Sequence, residues 1–227
     1  MEKNIVATIQ ATGVTEADYD TVKFTGLIKV HEKDKNRTIL NLADKVKSFK
    51  ETFNTLVSNG FVLVPDSLKS TQTVRENQAY DAKKQSYIND GFVGFYQVSF
   101  MSEKVELASE VYLALMKINS LTLNPPQFLF KNLDNLHEKA LKDAHFKVMD
   151  RLAKECAVLN VNKDSLKIHS WNARYDESNL AKRTNHNMES VRMARADAAP
   201  EEDDTLNLEP GKGQINVHLG VSFTYKE

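Results

Sequence analysis

Residues 215–225 read INVHLGVSFTY, where Ile215, Val217, Leu219, Val221, Phe223 and Tyr225 alternate with Asn216, His218, Ser222 and Thr224. Successive side chains of an extended strand point to opposite faces, so a period of two predicts a strand with one oily and one wet face. The oily face has to be covered, and the chain offers helices for the purpose. Between Leu133 and Leu159 the residues Leu136, Ala140, Leu141, Ala144, Val148, Leu152 and Cys156 recur at three- and four-residue steps, with Asp134 as a candidate cap. From Asp34 to Asn59 a second stripe runs through Ile39, Leu42, Ala43, Val46, Phe49, Phe53, Leu56 and Val57, and Asn59-Gly60 ends it.

Outward from these elements, 4–13 and 20–31 also alternate and predict two strands. GVTEADYD at 13–20 reads as turn chemistry between them, which makes a hairpin the economical topology. Residues 61–76 and 91–101 predict two more strands, separated by ENQAYDAKKQSYIND, read as a hairpin excursion or a loop. In GFVGFYQVSF (91–100), Phe92, Tyr96, Val98 and Phe100 point one way while Val93 and Phe95 point the other, so a second layer or another subunit is expected on the far face. Residues 103–118 are helical. Then 121–131 is a strand whose Pro125-Pro126 suits a sheet edge, and 164–173 is a strand after the second long helix. The stretch 176–209 is polar and reads as mobile.

The order is therefore ββ-α-ββ-α-β-α-β-β. Hairpins among grouped strands predict an α+β fold with antiparallel or mixed sheets and long amphipathic helices packed on one side.

Composition limits function. Thirty basic against thirty-one acidic residues give a formal charge of -1, which supplies no general field for nucleic acid. The single Cys156 lies in an apolar stripe, so it reads as a buried thiol with no disulfide partner. The start MEKNIVATIQATG shows neither an export signal nor a membrane span, and a cytoplasmic location is the expectation.

Four stretches in order resemble the SIMPL-domain family: LVSNGF at 56–61, GFVGFYQVSF at 91–100, PPQFLFKNLDNLHEKALKDAHFKVMDRLAKECAVL at 125–159, and EPGKGQINVHLGVSFTY at 209–225. The matching places in the third include Phe128, Leu136, Ala140, Leu141, Ala144 and Ala153, whereas Phe146 and Met149 are bulky where the family tends to small residues. The resemblance implies a single domain over 1–227, with two intertwined halves of about 1–118 and 119–227 as an open alternative. It further implies a non-enzymatic domain that self-associates in some members, and it supplies no catalytic residues.

Candidate sites are few. His137 and His145 share a helical stripe but stand about 12 Å apart along the axis, too far for one metal ion without a ligand between them. GKG at 211–213 lacks the spacing of a phosphate loop, and the run Glu201, Glu202, Asp203 and Asp204, with Arg183, Arg192 and Arg195 as pairing partners, lacks the ligand alternation of a calcium loop. His169 and Trp171 share a strand face with Lys167, opposite Leu166 and Ile168; simple packing against a helix is the leading explanation, with a small-molecule ledge or subunit contact as the alternative because Trp is favoured at interfaces.

No catalytic, cofactor or metal residue is assigned. Phe92, Val93, Phe95, Tyr96, His169 and Trp171 form the expected interface or ligand surface. The leading expectation is a non-enzymatic structural or interaction protein that forms a homo-oligomer. The alternatives are a small-ligand binder with a pocket between sheet and helices or at a subunit boundary near Trp171 and Tyr96, and an unrecognised hydrolase.

Overall fold

The computed structural model describes residues 4–81, 85–176, 208 and 211–226. Its strands are β1 (Asn4–Asp18), β2 (Thr21–Glu32), β3 (Lys69–Asp81), β4 (Ser86–Ser102), β5 (Leu121–Leu123), β6 (Gln127–Leu129), β7 (Lys167–Asp176) and β8 (Lys212–Lys226). Its α-helices are α1 (Lys35–Ser58), α2 (Ala108–Met116) and α3 (Leu133–Leu159). They form two compact units, one holding β1, α3, β7 and β8, the other holding β2 to β6 with α1 and α2. Every strand pairing is antiparallel, and the fold is α+β as the periodicities predict.

In the first unit the strand order is β1-β8-β7. The alternating residues of β8 are buried as expected, with Ile215, Val217, Leu219, Val221 and Phe223 all at most 4% exposed. Opposite them lie Ala140, Ala144, Val148, Leu152 and Cys156 of α3. Phe146 turns outward at 72% exposure, while Met149 packs against this core.

The predicted β1–β2 hairpin does not form. Only Tyr19 and Asp20 separate the two strands, yet β1 pairs with β8 and β2 pairs with β4, in different sheets. The turn reading of 13–20 fails for a physical reason. Gly13 lies inside β1, opposite Val217, where a Cβ would stand 1.8 Å from the Ala140 carbonyl oxygen and 2.5 Å from the Ala144 nitrogen. The strand meets the helix backbone here, so the glycine is needed for closeness. Ala140 and Ala144, both fully buried, are small for the same reason.

In the second unit the order is β3-β4-β2-β5, with β6 following β5 along the same edge of β2. Pro125 and Pro126 interrupt that edge and split the single strand expected at 121–131 into two. Asp34 caps α1 by accepting from the Arg37 N–H at 2.9 Å. The helix buries Thr38, Leu42, Val46, Phe49 and Phe53 against β2 and β4. Ile39 and Val57, expected in the stripe, lie at its margin and stay exposed. The Thr38 hydroxyl can take a core position because it donates to the Asp34 carbonyl at 2.9 Å. Phe100 is the hub of the packing, stacked on Phe24 at 5.2 Å and edge-on to Phe53 at 4.9 Å.

Two further expectations change. Residues 61–68 are not the start of a strand; Phe61 enters the core, Leu63 makes one bridge to Ser102, and β3 begins at Lys69. The polar stretch 76–90 is mostly strand, since the hairpin of β3 and β4 pairs on through Tyr80↔Tyr87 and Asp81↔Ser86. Both faces of that ribbon meet water, so no alternation marks it, and the Tyr80–Tyr87 pair at 5.4 Å supplies its cross-strand contact. Nearly all of 176–209, including the acidic run and its three arginines, lies outside the described residues.

Gly13→Ala should lower stability by about 2 kcal/mol or more, because α3 and β1 must separate to admit a methyl group. Urea unfolding checks this, and a neutral substitution would show that the helix does not lie this close.

Candidate interaction surface

The edge of a sheet exposes a row of backbone N–H and C=O groups. In the first unit these edges belong to β1 and β7, and α3 treats them differently. Along β1, Arg151 Nη1 donates to the Gln10 carbonyl at 2.6 Å, Lys147 Nζ donates to the Thr12 carbonyl at 3.1 Å, and Asp143 Oδ2 accepts from the Val14 N–H at 2.9 Å. Four helical residues rise about 6 Å and two strand residues about 7 Å, so the two repeats stay in step for three rungs. Lys147 also donates to Asp143 at 2.7 Å. That bond, with the Val14 N–H next in weight, holds the Asp143 carboxyl below the usual carboxylate range.

Along β7 the pattern differs: α3 packs chiefly on β1 and β8, and among the described residues no strand pairs with the outer edge of β7. On this strand Ile168 is 60% exposed, Trp171 65% and Tyr175 45%. The strand carries an irregularity between Ile168 and Ser170, where His169 has no partner on β8. Alternation across this point is therefore misleading. Ile168 is registered to Phe223 and Trp171 to Val221, so both belong to the face that carries α3, and the expected opposition of Trp171 and Ile168 does not hold. His137, at the start of α3, rests on Tyr175 with ring centroids 4.7 Å apart, while His145 is exposed.

The other expected surface residues lie in the second unit and do not form one face. Tyr96 is 6% exposed with its ring near Phe49, so it belongs to the core. Phe92 is half-buried, and its carbonyl accepts a long hydrogen bond of 3.4 Å from Thr38. Phe95 points to the far face, where the Arg75 guanidinium stands 5.1 Å and the Lys29 ammonium 6.0 Å from its ring centre. Val93 is 4% exposed. Long cationic side chains from the neighbouring strands thus cover the far-face aromatic within one chain.

At the bulge where β4 leaves its exposed ribbon, Asp90 accepts from Lys33 at 2.6 Å and from Asn77 at 3.3 Å, with His31 beside it; chiefly the Lys33 bond lowers its pKa. Between α1 and α2 lies an open cleft of about 650 Å³, lined by Asn41, Asp44, Lys45, Ser48, Lys117 and Asn119 among others. Among the described residues no three His, Cys, Asp or Glu side chains converge as metal ligands, and no helix is long and apolar enough to cross a membrane. At GKG, Gly213 opens β8 beneath the stacked rings of Tyr19 and Phe130, where a Cβ would lie 2.5 Å from Phe130.

Asp143→Ala should cost about 1 kcal/mol at neutral pH, the scale of a hydrogen bond to a charged acceptor reduced by solvent screening of a carboxylate this exposed. The folded pKa of Asp143 lies below its unfolded value, so its contribution is full above the ordinary carboxylate range and is lost as pH falls through the depressed value. Denaturation across pH should show wild type and variant converging in acid; a gap independent of pH would contradict the assignment. In the second unit, Phe100→Ala should cost about 3–5 kcal/mol and Phe95→Ala about 1 kcal/mol. Equal costs in the same titration would mean that the far face is as tightly packed as the core.

The comparison with protein families gives a match over residues 7–223 to SIMPL, described as a protein of unknown function (DUF541). That span is nearly the whole chain, and the chain belongs to the SIMPL family. The comparison with curated proteins gives no match.

Proposed function

We propose that this SIMPL-family chain is a non-enzymatic interaction protein that assembles with copies of itself into a homo-oligomer. One observation carries the reading: α3 bonds three backbone groups on the β1 edge of its sheet, while among the described residues no strand pairs with the outer edge of β7, beside exposed Ile168, Trp171 and Tyr175. An edge of this kind invites another strand, and pairing there would hide polar backbone and apolar side chains together. The strand at 92–100 contributes less than its composition suggests, because Val93 is buried and Phe95 lies under two cations.

A second reading, small-ligand binding, draws on the cleft between α1 and α2. Its lining sets the Lys45 and Lys117 ammonium groups and the Asp44 carboxylate beside amides, hydroxyls and Ile118, which suits a small ligand with polar and apolar parts. A thermal shift with a metabolite panel tests it, and the shift should vanish in Lys45→Ala with Lys117→Ala.

Light scattering at micromolar concentration should give a mass that is a multiple of 25.7 kDa. A single species of 25.7 kDa under those conditions would overturn the main reading.

A further inference from the structure

We infer that the partner of β7 is β7 of a second copy, paired antiparallel about a two-fold axis at Ala173. This rests on the self-association proposed above and adds the surface, the register and the symmetry.

The phase of the backbone comes first. In an antiparallel ladder, residues alternate between pointing both backbone groups toward one neighbour and pointing them away from it. The Gln10 and Thr12 carbonyls and the Val14 N–H bond side chains of α3, so on β1 these residues point their backbone groups away from β8. Their register partners Gly220, His218 and Asn216 must then point theirs toward β7, where they meet Asn172, Arg174 and Asp176. The remaining residues, Trp171, Ala173 and Tyr175, direct their N–H and C=O groups off the open edge.

Side chains give the second half. The same three residues are registered to Val221, Leu219 and Val217, which face α3. Outward backbone and exposed aromatic surface therefore coincide at Trp171 and Tyr175. The small Ala173 lies between them, partly buried against the core.

Symmetry then selects the register. An isologous strand pair sets each residue against a counterpart on the other side of the two-fold axis. Centring at Ala173 sets Ala173 against itself and Trp171 against Tyr175 of the second copy, twice, and it uses all three outward residues. Centring on Trp171 instead sets Ala173 against the irregularity at His169, and centring on Tyr175 breaks the match of Trp171 with Tyr175. On the opposite face Asn172 meets Arg174 of the second copy, so no like charges stand directly opposite. Both β7 edges are consumed, and the joined sheet β1-β8-β7-β7-β8-β1 ends on two β1 edges where α3 already bonds three backbone groups. An extended segment of an unrelated protein would satisfy the backbone, but it would lack this matched pairing of Trp171 with Tyr175.

The test uses the full chain. Asn172 and Arg174 face each other as a non-hydrogen-bonded pair, with Cα atoms about 4.5 Å apart, inside the range a disulfide spans. Both side chains are exposed, so cysteine should be tolerated at either position. Asn172→Cys and Arg174→Cys chains, co-expressed and air-oxidised, should give a covalent dimer on a non-reducing gel, whereas either variant alone should not. As a second readout, the emission of Trp171, the sole tryptophan, should shift to the blue as wild type is concentrated. An oligomer by light scattering with no such cross-link and no shift overturns the β7 register but leaves self-association standing. A chain that stays at 25.7 kDa overturns both, and a mass that grows only when another protein is added overturns the second copy as partner.

Discussion

The backbone contact of α3 with β1 is the constraint on which the first unit depends. Gly13 has no side chain, Ala140 and Ala144 have the smallest ones, and together they let helix and strand meet at backbone distance. Only at that approach do Asp143, Lys147 and Arg151 reach the strand's outward groups. The contact therefore has two effects. It covers the oily side of β1 and β8, and it occupies three backbone groups of an edge open to strand pairing. α3 leans toward β1, and among the described residues no strand covers the outer edge of β7, where Ile168, Trp171 and Tyr175 are exposed.

The second unit handles the same problem by other means. Its helix α1 buries one face of the sheet around Phe100, while on the far face Phe95 sits between Arg75 and Lys29. Strand composition at 91–100 suggests a second apolar layer, but one aromatic ring on that face does not need one when two long cationic side chains lie over it. The surface open to association is therefore on β7.

Much of this was legible in the sequence where periodicity had a single cause. The stripes of α1 and α3 and the alternation of β8 each follow from one oily side facing one core, and the prolines after Leu123 marked an edge. Legibility failed where one residue type serves two ends. Gly13 looks the same whether it permits a turn or a close approach, and read as a turn it pairs β1 with β2. The ribbon of β3 and β4 is wet on both faces and shows no period. The irregularity at His169 changes the parity of β7, so the faces of Trp171 and Ile168 could not be read by counting in twos. The sealed edge of β1 had a faint signal in Asp143, Lys147 and Arg151 at four-residue steps, but that spacing is also common in solvent-facing ion pairs.

Amide hydrogen exchange resolved by residue tests most directly whether α3 closes one edge of its sheet and leaves the other open. The account predicts a slowly exchanging Val14 amide at every protein concentration, with Trp171, Ala173 and Tyr175 amides fast in dilute solution and slowed on concentration. Equal exchange of Val14 and these three amides, or full protection of the three in a dilute monomer, would contradict it.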